Sequence, residues 1–220
     1  MIYGPFETYY DNGKINYKGF KNGQYFVDTL YVYFMDGKPE RKSFYKDGRL
    51  NGKFISYYNS GQVMTECEYT NDSITGLFRQ FYPDGQLAQT GQYSKGYKSG
   101  EWVAYYPKNK KYSSGMFNKG SFDGLWLVYH PNGNIKQKGE YKNGLAEGYW
   151  LFADSTGLQI ETGKYFRDMR TDYWTFTVNG KINQIILYQN GIYNLIGWFY
   201  NPLYKKFSSK RIKDGMILED

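Results

Sequence analysis

The stretch that decides the fold is GLWLVYHPNGNIKQKGEYKNG, residues 124–144. Its first part, residues 126–130, is aromatic and β-branched, a composition typical of a β-strand. Residues 131–134 have the residue types of a tight turn, and residues 135–141 can return as a second strand. The stretch therefore predicts a β-hairpin, followed by another turn at residues 142–144.

This hairpin repeats along the chain with a period of about 24 residues, the spacing from Gly124 to Gly148, and four columns of the repeat carry the signal. The start column contains Gly4, Asp28, Gly52, Gly76, Gly100, Gly124, Gly148 and Asp172. Two residues later, the ring column contains Phe6, Leu30, Phe54, Phe78, Trp102, Trp126, Trp150, Trp174 and Trp198. The turn column contains Gly13, Gly37, Gly61, Gly85, Asn109, Gly133 and Gly157. The return column contains Gly19, Ser43, Cys67, Gly91, Gly115, Gly139 and Gly163.

Counting across the turn predicts which residues face each other in a hairpin. We place His130 opposite Ile135, where the two strands leave the turn. Counting back from that pair puts Trp126 opposite Gly139. A large ring that lies across a glycine on the neighbouring strand covers backbone that would otherwise be exposed. We therefore expect Trp126 to cover the return-column glycine of its own hairpin.

The composition agrees with a stack of such hairpins. Aromatic residues make up 21% of the chain within a hydrophobic total of 40%, so aliphatic side chains for a helical or α/β core are scarce. Stacked hairpins bury a continuous aromatic face, whereas a single hairpin is only marginally stable. We predict an all-β fold, an elongated single-sheet solenoid of about nine hairpin repeats. Residues 1–171 form the regular array, and residues 172–220 form degenerate repeats and a C-terminal cap.

Two quoted motifs also carry a family resemblance. The segments GLFRQFYPDG, residues 76–85, and GEYKNG, residues 139–144, resemble variant MORN repeats. The form is similar to that of bacterial YwqK-family antitoxins and of repeat proteins from large DNA viruses and phages. The resemblance implies a stack of hairpins with a scaffold function, for which lipid binding is sometimes proposed.

Catalytic chemistry has few candidates in this sequence. The single Cys and the single His, Cys67 and His130, fall on strands that we predict to be five spacings apart, about 24 Å, too far for a nucleophile and its base. Cys67 occupies the return column, which favours a small packed residue. Glu66 and Glu68 share a strand face and are interpreted as solvated charges rather than a glycosidase pair. We predict no catalytic residue, no metal site and no cofactor.

Two groups of residues are candidates for binding. Adjacent aromatic residues recur in the first strands, and alternation along a strand sends the two members of a pair to opposite faces. Either one member faces solvent and binds a partner protein, or both rings pack within the thin sheet. The candidate partner-binding residues are Tyr57, Tyr58, Tyr82, Tyr105, Tyr106 and Tyr129. A C-terminal basic group is either an anionic-surface contact or a soluble end cap, and it consists of Lys205, Lys206, Lys210, Arg211 and Lys213.

The sequence thus predicts a non-enzymatic repeat scaffold that binds another protein through an aromatic sheet face, as an antitoxin or immunity-like inhibitor. The alternatives are a structural component of a viral or other multiprotein assembly and a membrane-surface adaptor. The net charge of +7 is mild over a long surface, so we expect no specific nucleic-acid partner. A single cysteine and the absence of a long apolar run predict a cytoplasmic location.

Overall fold

The computed structural model describes residues 3–192, 196–201, 206–213 and 216–218. Within these ranges the regular elements are β-strands, apart from one short 3-10 turn at Pro107–Asn109. Consecutive strands pair antiparallel, as hairpins require. The predicted all-β class and the hairpin repeat are confirmed.

The chain divides into two compact units, Met1–Lys110 and Lys111–Asp220. The strands of unit 1 are β1 (Tyr3–Tyr9), β2 (Ile15–Asn22), β3 (Tyr25–Tyr33), β4 (Pro39–Lys46), β5 (Arg49–Tyr57), β6 (Val63–Thr70), β7 (Ser73–Phe81), β8 (Leu87–Ser94) and β9 (Tyr97–Tyr106). Unit 2 follows with β10 (Lys110–Asn118), β11 (Ser121–Tyr129), β12 (Ile135–Lys142), β13 (Leu145–Ala153), β14 (Gln159–Phe166), β15 (Met169–Val178), β16 (Lys181–Tyr188), β17 (Ile196–Asn201), β18 (Lys206–Lys213) and β19 (Met216–Leu218). The domain boundary expected after residue 171 stays a prediction.

Within the hairpin of β11 and β12, the predicted register is correct at its centre and wrong at its turn. Trp126 faces Gly139, as expected, but Tyr129 rather than His130 faces Ile135. His130 belongs to the turn because its N–H donates to the carbonyl of Asn134 at 2.8 Å. A one-residue bulge in β12 then restores the register toward Gly139.

The ring that covers Gly139 does not come from its own hairpin. A Cβ built at Gly139 would lie well within 3.0 Å of the indole of Trp150, which comes from the next hairpin. The expectation that Trp126 covers Gly139 is therefore wrong. The two residues are register partners on neighbouring strands, but the ring that occupies the space above Gly139 is that of Trp150. The same offset recurs at three other places, in the pairs Gly91 with Trp102, Gly115 with Trp126, and Gly163 with Trp174.

A bulge in the start column explains this offset. Gly148 adopts a φ of 67°, a left-handed backbone conformation that glycine tolerates best. The register between β12 and β13 shifts at this point, so that Gly139 lies beside the bulge and under the Trp150 ring. Asp28 and Asp172 occupy the same column with φ values of 60° and 64°. They substitute for glycine here because aspartate tolerates the left-handed region better than most residues.

Ring size matches the residue that lies beneath the ring. The four tryptophans of the ring column at positions 102, 126, 150 and 174 all lie over glycine. Ser43, by contrast, is fully buried in the return column and faces Phe54 across β4 and β5. The larger indole leaves no room for a Cβ, whereas a phenyl ring accommodates the serine side chain. Space, rather than backbone conformation, therefore determines which residue occupies the return column.

The two faces of the sheet have different roles. We call the face with the ring-column residues Trp102, Trp126, Trp150 and Trp174 the Trp face; Trp198, by contrast, faces Ile185 and contacts Tyr173 on the opposite face. In unit 2 its buried cluster comprises Ala146, Trp150, Trp174, Ile186 and Tyr188. The opposite face, which we call the open face, carries the alternate residues of every strand. Packing between repeats is thus concentrated on the Trp face, and the open face remains accessible.

Candidate interaction surface

The candidate catalytic side chains occupy structural positions. Cys67 is buried, and burial raises the pKa of its thiol to about 11. A thiol with this pKa is protonated near neutral pH and is a poor nucleophile. His130 is half-buried, and its Nε2 lies 2.8 Å from the carbonyl oxygen of Ala153. Both residues therefore serve packing and hydrogen bonding.

The acidic pair is also accounted for by its neighbours. The Glu66 carboxylate lies 3.3 Å from the Arg79 guanidinium, and Glu68 is exposed on the same strand. Among the residues that the structure describes, no group of three or more His, Cys, Asp or Glu side chains is placed to hold a metal ion. Nor does this part of the chain contain a helix long and apolar enough to cross a membrane.

All six predicted partner-binding tyrosines are half-buried. Two of the tyrosines that come second in an aromatic pair, Tyr58 and Tyr82, donate a hydrogen bond to the next hairpin. The Tyr58 hydroxyl donates to the carbonyl of Phe81 at 2.8 Å, and the Tyr82 hydroxyl donates to that of Tyr105 at 2.7 Å. Each bond reaches 23 residues ahead and ties a turn to the next hairpin. Tyr106 lies in the same column.

The sequence analysis did not identify these hydrogen bonds between neighbouring repeats, although the residue types at this position indicated them. Tyr10 makes the equivalent bond to Tyr33, and His130 makes it to Ala153. Tyrosine and histidine differ in size but share a side-chain donor. A side chain that can donate recurs at this position in five of the first six repeats, with Phe34 as the exception, and this recurrence indicated a hydrogen bond with the neighbouring repeat.

The first members of the pairs lie on the open face. Tyr57, Tyr105 and Tyr129 alternate with the ring-column residues of their strands and are half-buried. Tyr129 faces Ile135 across the hairpin, so part of its ring packs within the sheet. Their role in binding stays a prediction.

The open face of unit 2 exposes a row of large apolar side chains that the sequence reasoning did not identify. We call Leu125, Tyr149 and Tyr173 the apolar row; they occupy the same position of successive repeats, on β11, β13 and β15. Their exposed fractions are 45%, 73% and 52%. Equivalent positions lie two strand spacings apart, about 9.6 Å. The row therefore presents three apolar side chains at regular intervals along one face of the sheet.

Charged residues lie between the members of this row. Lys164 faces Tyr149 across β13 and β14, and its Nζ lies 4.8 Å from the centre of the tyrosine ring. The hydrogen bond with Tyr149 raises the pKa of Lys164, and Asp172 contributes from 3.4 Å. Glu140 faces Leu125 on the preceding pair of strands. The row is thus apolar with a polar surround, as in the centre of many protein interfaces.

The C-terminal basic group is only partly covered by the structure. Lys205 lies outside the described residues. Strand β18 includes the other four members, Lys206, Lys210, Arg211 and Lys213. Contact of this group with an anionic surface stays a prediction.

Comparison with known proteins gives one family. Four segments match the family model described as a MORN repeat variant, at residues 2–20, 50–71, 74–95 and 122–143. No curated protein matches the chain. The narrower similarity to bacterial antitoxins or to viral and phage proteins therefore stays a prediction. MORN repeats are generally scaffold-like and mediate protein interactions, and these four segments are similar to that variant of the repeat.

Proposed function

We propose that this protein is a non-enzymatic repeat scaffold that binds another protein through its open face, with the apolar row at the centre of the interface. The observation that carries the proposal is the 73% exposure of Tyr149 in the middle of the row. A large ring this exposed contributes little to the stability of the fold. Its contact area is available to a partner instead.

The difference in side-chain burial between the two faces supports this proposal. On the Trp face, Trp150 and Trp174 are almost completely buried and pack one repeat against the next. Tyr149 and Tyr173, their immediate neighbours in sequence, point to the other side and are exposed. Tyrosine offers a large contact area at a small cost in rotamer entropy, and central aromatic residues dominate the energetics of many interfaces.

Two roles are compatible with such a surface. An inhibitor of the antitoxin or immunity type would form a small complex of fixed stoichiometry with its target. A component of a viral or other multiprotein assembly would be recovered within a large particle. We favour the inhibitor, and the size of the purified native complex decides between the two roles.

The test is a change at Tyr149. Complexes are purified from the native source with a tagged protein, the partner is identified by mass spectrometry, and its affinity is then measured by calorimetry. We expect Tyr149→Ser to weaken binding by about 1–3 kcal/mol. The free energy of unfolding should change by less than about 1 kcal/mol, because the ring loses only its exposed contact with Lys164.

The matched control is Tyr97→Ser, which removes a tyrosine of similar exposure in unit 1, outside the apolar row. This variant should bind the partner as the wild type does. An unchanged affinity in Tyr149→Ser would contradict the proposal that the apolar row is the centre of the interface.

A further inference from the structure

We propose that the open face of unit 1 binds single-stranded nucleic acid without base preference. The site is a group of exposed side chains on β2 to β5, which we call the basic–aromatic patch. Its rings are Phe20, Tyr25, Tyr31 and Phe44, and its cations are Lys18, Lys42, Lys46, Arg49 and Lys53. A cationic groove with accessible rings is the arrangement that proteins use to bind single strands independently of sequence.

Rings and cations alternate across the strands of this patch. Tyr31 faces Lys18 on one neighbouring strand and Lys42 on the other. The Lys42 Nζ lies 5.5 Å from the centre of the Tyr31 ring. Lys18 pairs with Glu7 at 3.0 Å, the one ion pair of a patch cation among the described residues. A phosphate backbone that crosses these strands would meet a cation beside each ring.

Two cations of the patch face each other directly. Lys46 and Arg49 are cross-strand partners on either side of the turn between β4 and β5. Like charges opposite each other destabilise a sheet, and neither of these two forms an ion pair with another described residue. A bound polyanion would remove this repulsion. The pair therefore favours an anionic ligand over a neutral one.

The rings of the patch rest on the sheet. Phe44 packs along Gly52, where an added Cβ would come within 3.1 Å of its ring, and Tyr25 packs along Gly48 in a similar way. Both rings are nevertheless exposed, by 39% and 54%. Side chains held against the backbone offer surfaces for stacking of bases, whereas insertion into a bilayer needs projecting side chains. An acidic peptide would use the cations and leave the rings without a partner.

The distribution of charge explains why net charge did not predict this site. The total of +7 is modest for the whole chain, but five cations converge on neighbouring strands of one face. Glu7 and Glu68 are the acidic residues that face patch cations in the register of the sheet. The expectation of no specific nucleic-acid partner rested on the charge of the whole chain, whereas this proposal rests on the local charge of one face.

The test is fluorescence anisotropy with a labelled 20-nucleotide oligo-dT over a range of salt concentrations. Binding to single strands weakens with a slope of about −0.7 per neutralised phosphate in a plot of log K against log salt. The variant K42Q/R49Q/K53Q should therefore reduce the magnitude of this slope by about 2. The control K136Q/K142Q/K181Q removes the same charge from exposed lysines in unit 2 and should leave the slope unchanged.

A second pair of variants tests the rings. Tyr31→Leu and Phe44→Leu keep an apolar side chain on the sheet but remove the aromatic surface, and each should weaken oligo-dT binding about 5- to 150-fold. A duplex of the same length should bind more weakly than oligo-dT and should not respond to these variants. The proposal is overturned if oligo-dT does not bind or if the duplex binds equally well. It is also overturned if phosphatidylserine vesicles bind through the patch and oligo-dT does not.

Discussion

Replacing Trp174 by alanine should lower the free energy of unfolding by about 3–5 kcal/mol, the range for large aromatic residues in a core. Trp174 is 0% exposed and packs edge-on against Tyr165, with ring centres 5.1 Å apart. The guanidinium of Arg170 lies 4.1 Å from the centre of the Trp174 ring. The indole Nε1–H of Trp174 donates to the carbonyl of Lys164 at 3.1 Å. Urea unfolding followed by circular dichroism measures the loss.

Tyr173→Ala is the matched control for this substitution. Tyr173 is the adjacent residue on the same strand, but it lies on the open face and is 52% exposed. Its replacement should cost about 1–1.5 kcal/mol, because about half of the side chain is already exposed and its ring contacts that of Trp198, with ring centres 5.9 Å apart. Equal losses at the two positions would contradict the assignment of packing to the Trp face.

Replacing Gly139 by valine should be the next most damaging change, at about 1–3 kcal/mol. The valine Cβ would occupy the space of the Trp150 indole, so either the ring or the strand must move. Lys136→Val introduces the same side chain at an exposed position of the same strand and should have little effect. If both variants unfold at the same urea concentration, the ring does not lie over Gly139 in solution.

The repeat period was enough to predict hairpins, strands and turns, but not the hairpin from which each covering ring comes. Gly139 lies almost midway along the sequence between Trp126 and Trp150. In a periodic sequence the spacings to both rings recur in every repeat, so neither spacing identifies the ring that covers the glycine. The bulge at Gly148 determines that the ring over Gly139 is that of Trp150. Its effect on the register depends on a backbone angle that residue types do not encode uniquely.

The candidate surface was predictable only in part for a related reason. The aromatic pairs were visible in the sequence, yet exposure depends on contacts with the next repeat. Tyr58 and Tyr82 use their hydroxyls to bind that repeat, and this contact could not be inferred from their own hairpins. The sequence analysis did not identify the column of Tyr149 because Leu77 and Glu101 occupy the same position in earlier repeats. No single type of side chain therefore recurs in that column.

A double-mutant cycle at Gly139 and Trp150 tests the central claim most directly, namely that each ring and the residue beneath it are matched across neighbouring hairpins. Gly139→Ser, Trp150→Phe and the double variant are compared by urea unfolding. The double variant recreates the combination of Ser43 with Phe54. It should therefore be more stable than the sum of the single losses predicts, by at least about 1 kcal/mol. Losses that add to within about 0.3–0.5 kcal/mol would contradict the claim.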